Sequence, residues 1–213
     1  MTLDDTFKIA QIGFYGLIAF VTVLTFWRAK EGLLNSVNTE YHKKVIERLE
    51  DLSKVLLDEY DWDSPNHWSN KHPVAKIVSD INKNFMNHKE EILQRGSFPG
   101  IPSHPDYERL KALVQRVKSD PFIPKAIRSR VTDLLENRAD VILDVHLDHF
   151  ERYKTALAKG KYSGDLDNNA GWIQNEILAD LRKRGCGIEE IEHEVHEIRL
   201  AIQTYFERFD PDS

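Results

Sequence analysis

The chain has a single cysteine, Cys186, so no intramolecular disulfide can staple it and a cysteine-based zinc site of the usual kind is excluded. Glycine and proline are sparse, ten and eight in 213 residues, and no proline precedes Pro65; collagen-like and linker-dominated chains are ruled out. An excess of positive charge is missing too. The formal net charge is −6, which argues against a protein devoted to nucleic acid. No alternation of apolar and polar residues between Pro/Gly boundaries reads as a strand, and there is no internal repeat. Neither a nucleotide-binding Gly-rich loop nor a Ser-His-Asp or Cys-His arrangement at informative spacing occurs.

What is present is 41% hydrophobic and 30% charged residues, which excludes a wholly disordered chain and a polytopic membrane protein. The longest uncharged run covers residues 9–27, with Gln11, Thr22 and Thr25 among its few polar members. As a helix it would extend roughly 28 Å at ~1.5 Å per residue, close to the ~30 Å hydrocarbon core. A cleaved signal peptide would need a basic start and a shorter core, whereas this one begins with Asp4 and Asp5. The expectation is a single transmembrane helix. Lys8 alone precedes it, while Arg28, Lys30, Lys43 and Lys44 follow, so the positive side predicts a short outward tail over 1–8 and a cytosolic remainder.

Beyond the span, Leu34, Val37, Tyr41, Val45, Leu49, Leu52 and Leu56 recur at three- or four-residue steps and predict a juxtamembrane helix or stalk over 28–60. Residues 61–213 then read as an α-helical domain. Val74, Ile77, Val78, Ile81, Phe85 and Ile92 mark one helix that Gly96 stops; Ser103 with Asp106 reads as a capping box opening the next. A long helix over 124–159 follows, ended by Gly160, and another ends near Gly185. The last carries Ile188, Ile191, Val195, Ile198, Ile202, Tyr205 and Phe209, a narrow seam suited to helix pairing. The fold class expected is all-α: one membrane helix followed by a multi-helix bundle.

Four places hold residue types that do chemistry. His146 and His149 fall on the apolar face of the long helix and His88 on that of an earlier one; three inward imidazoles would suit a metal between helices. The alternative is hydrogen-bonded core histidines, and the paired Glu-x-x-His motifs of di-iron bundles are absent. Asp165, Asp167, Asn169 and Glu176 occupy positions 1, 3, 5 and 12 of a calcium-type loop, although Ala170 stands where glycine makes the sharp turn. An Asp/Asn-rich turn capping the next helix explains all of these but Glu176.

Trp62, His67 and Trp68 crowd one loop and would make a partner surface or a plug. Finally, 106–130 holds seven basic residues, among them Arg109, Lys111, Arg116 and Lys118, against three acidic ones. Asp133, Glu136, Asp140, Asp144, Asp148 and Glu151 then line one helical face. Like charges at that spacing repel, so the basic segment either pairs with the stripe or faces anionic lipid.

These features point to an interaction or scaffold protein at the membrane, with lipid and a protein partner or a second copy as its contacts and no nucleic acid. The alternative is a membrane-attached metal-dependent enzyme or metal sensor, a metal ion being the one cofactor the residues suggest. An oligomerising membrane effector ranks third.

Overall fold

The computed structural model describes the backbone of residues 3–68, 73–96, 100, 104–162, 166 and 168–208, and their side chains except those of 3–14, 16, 19 and 73. Among the described residues there are seven helices and no strand: α1 Leu3–Leu57, α2 Pro73–Asn87, α3 Lys89–Arg95, α4 Pro105–Ser119, α5 Lys125–Ala158, α6 Asn169–Lys183 and α7 Ile188–Glu207. The chain divides into two compact units, Met1–Glu47 and Arg48–Ser213.

The first unit corrects the transmembrane expectation. Among the described residues no helix is long and apolar enough to cross a membrane. The run over 9–27 is not an element of its own but part of a 55-residue helix, in which Arg28, Lys30 and Glu31 follow Trp27 within about a turn. The part of the expected span on 9–14, 16 and 19 has side chains outside the described residues, as does the proposed outward tail over 1–8. The single-pass topology and the cytosolic placement fall with the span. In this unit Tyr15, Leu17, Phe20, Phe26, Trp27 and Leu33 are all exposed, and Thr22 and Thr25 turn their hydroxyls back onto the Ile18 and Val21 carbonyls at 2.8 Å.

The second unit is built around α5. Its buried positions Val131, Leu135, Ala139, Ile142, His146, His149 and Tyr153 advance in steps of three and four, so one stripe of a 34-residue helix faces neighbours along its whole length. Helices α4, α6 and α7 each pack on it, and α6 also packs on α2. One core joins Ile77, Ile81 and Phe85 of α2 to Phe150 and Leu157 of α5 and Ile173 and Ile177 of α6. Leu49, Leu52 and Leu56 from the end of α1 are buried as well, as are Leu110, Val114 and Val117 of α4.

Two local outcomes differ from the sequence reading. The helix expected to run on to Gly96 breaks at His88, whose φ −127° and ψ 25° interrupt the spiral between α2 and α3. Helix α4 is capped by His104, whose ring accepts the Asp106 N–H, with Pro105 in the first turn; Ser103 of the expected capping box lies outside the described residues. Between α6 and α7, Gly185 adopts φ +71°, a left-handed conformation that turns the chain sharply.

Candidate functional site

Where α1 ends, the Asp58 carboxylate accepts hydrogen bonds from the Ser64 hydroxyl at 2.5 Å and the Asn66 amide at 2.8 Å. The Trp68 N–H closes onto the Glu59 carbonyl at 2.9 Å, so 58–68 is a tied loop. Glu59 is thereby held inside, only 5% exposed. One of its oxygens accepts from Arg109 of α4 and the other from Arg138 of α5, the latter at 2.7 Å. Burying a carboxylate costs several kcal/mol, and two charge-assisted hydrogen bonds of about 1.5–3 kcal/mol each offset it. The arrangement leaves two guanidinium groups on one carboxylate. Burial, and then Arg138 beside it, pull Arg109 down to about 10, with Asp58 acting in the other direction.

Two histidines lie alongside. His104 and His146 pack with ring centroids 4.0 Å apart. Burial drives His104 down to about 4; burial and the neighbouring His104 drive His146 down to about 3. Both rings are neutral near pH 7, and their hydrogen bonds assign the tautomers. His104 Nδ1 accepts the Asp106 N–H at 3.2 Å, so its proton sits on Nε2. His146 Nδ1 donates to the Ile142 carbonyl at 2.7 Å, so its Nε2 carries a lone pair. His104 is 4% exposed and its Nε2–H has no acceptor. A buried donor left so costs about 1–3 kcal/mol.

His104 is among the residues that line a cavity of about 230 Å³, although its Nε2 is itself closed off from solvent. Glu59, Asp106, Arg138 and His146 supply its polar wall; Val74, Ile142, Ile177, Leu178, Leu181 and Ile188 supply the apolar one. Cys186 joins them, its thiol pushed up by burial and touched by the Asn137 amide at 3.7 Å, so it stays protonated and is a poor nucleophile. Outside lies a groove of about 610 Å³ that shares Tyr60, Trp68, Leu178, Gly187 and Ile188 as walls with the inner chamber. A Cβ at Gly187 would require the Glu190 carboxylate to move and would come within 3.3 Å of the Arg182 backbone.

The residues singled out in the sequence are distributed differently. Trp62, 80% exposed, stacks on buried His67 at 4.4 Å, and with Trp68 they form one wall of the outer groove. Of the three histidines, only His146 lines the chamber. His88 is exposed and bonds Asn84; His149 pairs with Asp180 at 2.9 Å and approaches Glu176 at 3.5 Å. Lys183 and His149 together hold Asp180 down to about 2. Among the described residues, no three His, Cys, Asp or Glu side chains are grouped so as to hold a metal ion.

Asp165 and Asp167 of the calcium-type loop lie outside the described residues. Asn169 is buried: its amide donates to Tyr153 at 2.8 Å and its oxygen accepts the Trp172 indole at 3.3 Å. Tyr153 in turn donates to Asn82 at 2.6 Å, a polar chain that ties α2, α5 and α6. Three of the four basic residues have partners within the chain: Arg109 with Glu59, Lys111 with Asp140 and Lys118 with Glu136, the last two at 2.6 Å. Arg116 lines hollows of about 670 and 540 Å³ beside α4 and the end of α1. The acidic stripe of α5 is thus partly neutralised from α4.

Glu59, His104 and Arg138 escaped the sequence reading because they lie far apart in the chain and share no motif. A histidine placed just before Pro105-Asp106 at a helix start was the one local signal. No protein-family model, curated protein or solved structure matches the chain.

Proposed function

We propose that the unit Arg48–Ser213 is a binding module that takes a small ligand in the chamber beneath the 58–68 loop. The observation that carries this reading is a cavity of about 230 Å³, large enough for a small molecule, whose lining sets Glu59, Asp106, Arg138, His104 and His146 opposite an aliphatic wall. Support also comes from the shared walls: a ligand seated inside would touch Trp68, which also borders the outer groove, so occupancy and partner contact would meet at one loop. Binding is favoured over covalent catalysis because the Cys186 thiol is held protonated.

Thermal unfolding of the full chain against small acids, amides, alcohols and amines tests it. A ligand at a hundredfold excess over its Kd stabilises by about 2.7 kcal/mol, which for a chain of this size raises Tm by roughly 5–10 °C. If no compound of any of these classes moves the transition or the tryptophan fluorescence, the reading is wrong.

A second reading, association with another copy through α1, is supported by the exposed stripe Leu34, Val37 and Tyr41, at three- and four-residue spacing and 57%, 60% and 45% exposed. Sedimentation of the full chain beside a Leu34→Ser/Val37→Ser double variant decides it. A monomer at every concentration in both proteins would remove it.

A further inference from the structure

We infer that the groove outside the chamber is a site for an organic cation: it takes a small molecule with a methylated ammonium head, held by the aromatic rings of the 58–68 loop and by Glu192. The inference goes beyond the chamber reading and does not depend on it.

The rings come from one short, tied segment. Tyr60, Trp62 and Trp68 all line the groove of about 610 Å³. The buried His67 ring backs two of them, stacked at 4.4 Å on Trp62 and tilted at 5.4 Å from Trp68. The Trp68 N–H closes onto the Glu59 carbonyl, and Asp58 holds Ser64 and Asn66, so the loop is fixed before any ligand arrives. Trp62 is nonetheless 80% exposed and Trp68 41% exposed. A plug that folds the loop onto the bundle would bury its indoles; these are braced by His67 and left open. An aromatic face carries partial negative charge and attracts a cation within about 6 Å of its centre.

Charge in the groove selects the same sign. Glu189 and Glu192, three residues apart on one face of α7, complete the lining together with α6. Among the described residues that line it, Arg182 is the one guanidinium or ammonium, and it pairs with Glu189 at 3.6 Å. That leaves the Glu192 carboxylate over. Its charge is felt at the rings: burial raises the Tyr60 hydroxyl, Arg138 acts to lower it, and Glu192 raises it again. Arg138 is itself bonded to Glu59 at 2.7 Å.

Size and hydration narrow the class. The groove falls within the ~300–1,000 Å³ of small-molecule sites. Leu178, Ala179 and Ile188 add aliphatic surface beside the rings. A bare ammonium is strongly hydrated, and carbon surfaces return few of its hydrogen bonds; a methylated head presents its charge on apolar groups that suit them. An anion would meet Glu192 and ring faces of its own sign.

Titration calorimetry of the full chain tests the assignment with choline, its uncharged isostere bearing a quaternary carbon in place of nitrogen, ethanolamine and pivalate. Choline should bind about tenfold or more tightly than the isostere, as expected of two or three rings at exposed positions. Ethanolamine should bind more weakly than choline, and pivalate should not compete. In the wild-type chain choline should move the Trp62 indole N–H resonance, which marks the groove because Trp62 does not line the chamber. Trp62→Leu should weaken choline about two- to fivefold, and Glu192→Gln up to about fivefold. Both side chains are exposed, so neither change endangers the fold. The isostere binding as tightly as choline would overturn the cation assignment, as would tighter binding of pivalate or no response to any probe. Ethanolamine matching choline would strike the methylated head. A trimethyllysine peptide binding tenfold more tightly than choline would replace the small molecule by a protein partner. Choline that moves His146 and not Trp62 would strike the groove and leave the chamber reading standing.

Discussion

Leu34, Val37 and Tyr41 in the first unit and Leu49, Leu52 and Leu56 in the second belong to the same helix and the same three-and-four spacing. The first three are exposed and the last three buried. The difference teaches that periodicity specifies a face and not what covers it. In 48–213 the face meets other helices of the same unit; in 1–47 Leu34, Val37 and Tyr41 stand in the open, and Val45, near the boundary, is buried.

Four measurements test that contrast. The largest effect is expected at the buried charge of the second unit. Glu59→Gln leaves Arg109 and Arg138 without their counter-charge and should cost about 3–5 kcal/mol in chemical denaturation. A loss under about 1 kcal/mol would mean that water or another acid already serves those guanidiniums.

Next, Leu49→Ala should cost about 2–5 kcal/mol, the range for a leucine removed from a packed interior. The acid response comes third. His104 and His146 sit well below the ordinary histidine value, so their contribution is fully present above about pH 6.5 and is lost as pH falls through about 4 and 3. By pH 5 each ring should have removed about 2 kcal/mol, because the unfolded chain binds the protons first. His146→Leu should flatten the stability curve between pH 7 and pH 5 by that amount; an unchanged slope would show the ring already charged or solvated.

The smallest effect is expected in the first unit. Leu34→Ala should change the stability of the unfolding transition by no more than about 0.5 kcal/mol, the usual range for a surface site. A cost near that of Leu49→Ala would show that the two stretches of α1 are covered alike and would end the comparison.

Much of the fold was legible in sequence because helix signals are local. The long period of α5, the stops at Gly96, Gly160 and Gly185, and the inward direction of His146 and His149 were all readable from spacing. The candidate site was legible only in fragments. Trp62, His67 and Trp68 were visible as a cluster and His146 as an inward ring, yet the groups that give the chamber its chemistry were not. Arg109 and Arg138 read as members of charged helices, and nothing local marks them as partners of Glu59, fifty and seventy-nine residues upstream. The break at His88 was hidden too, since Phe85 and Ile92 keep helical spacing across it.

The membrane expectation failed for a related reason. It counted an uncharged run as an independent element, whereas the backbone carries that run straight into a charged one as one helix. The sequence alone determined that this protein is helical and which residues share a helical face, because 3.6-residue periodicity and Gly/Pro stops act over a few residues. Tertiary structure decided which inward faces are covered, which charges are paired and which imidazoles are neutral. Desolvation and pairing depend on neighbours brought from distant parts of the chain, and no local pattern encodes them.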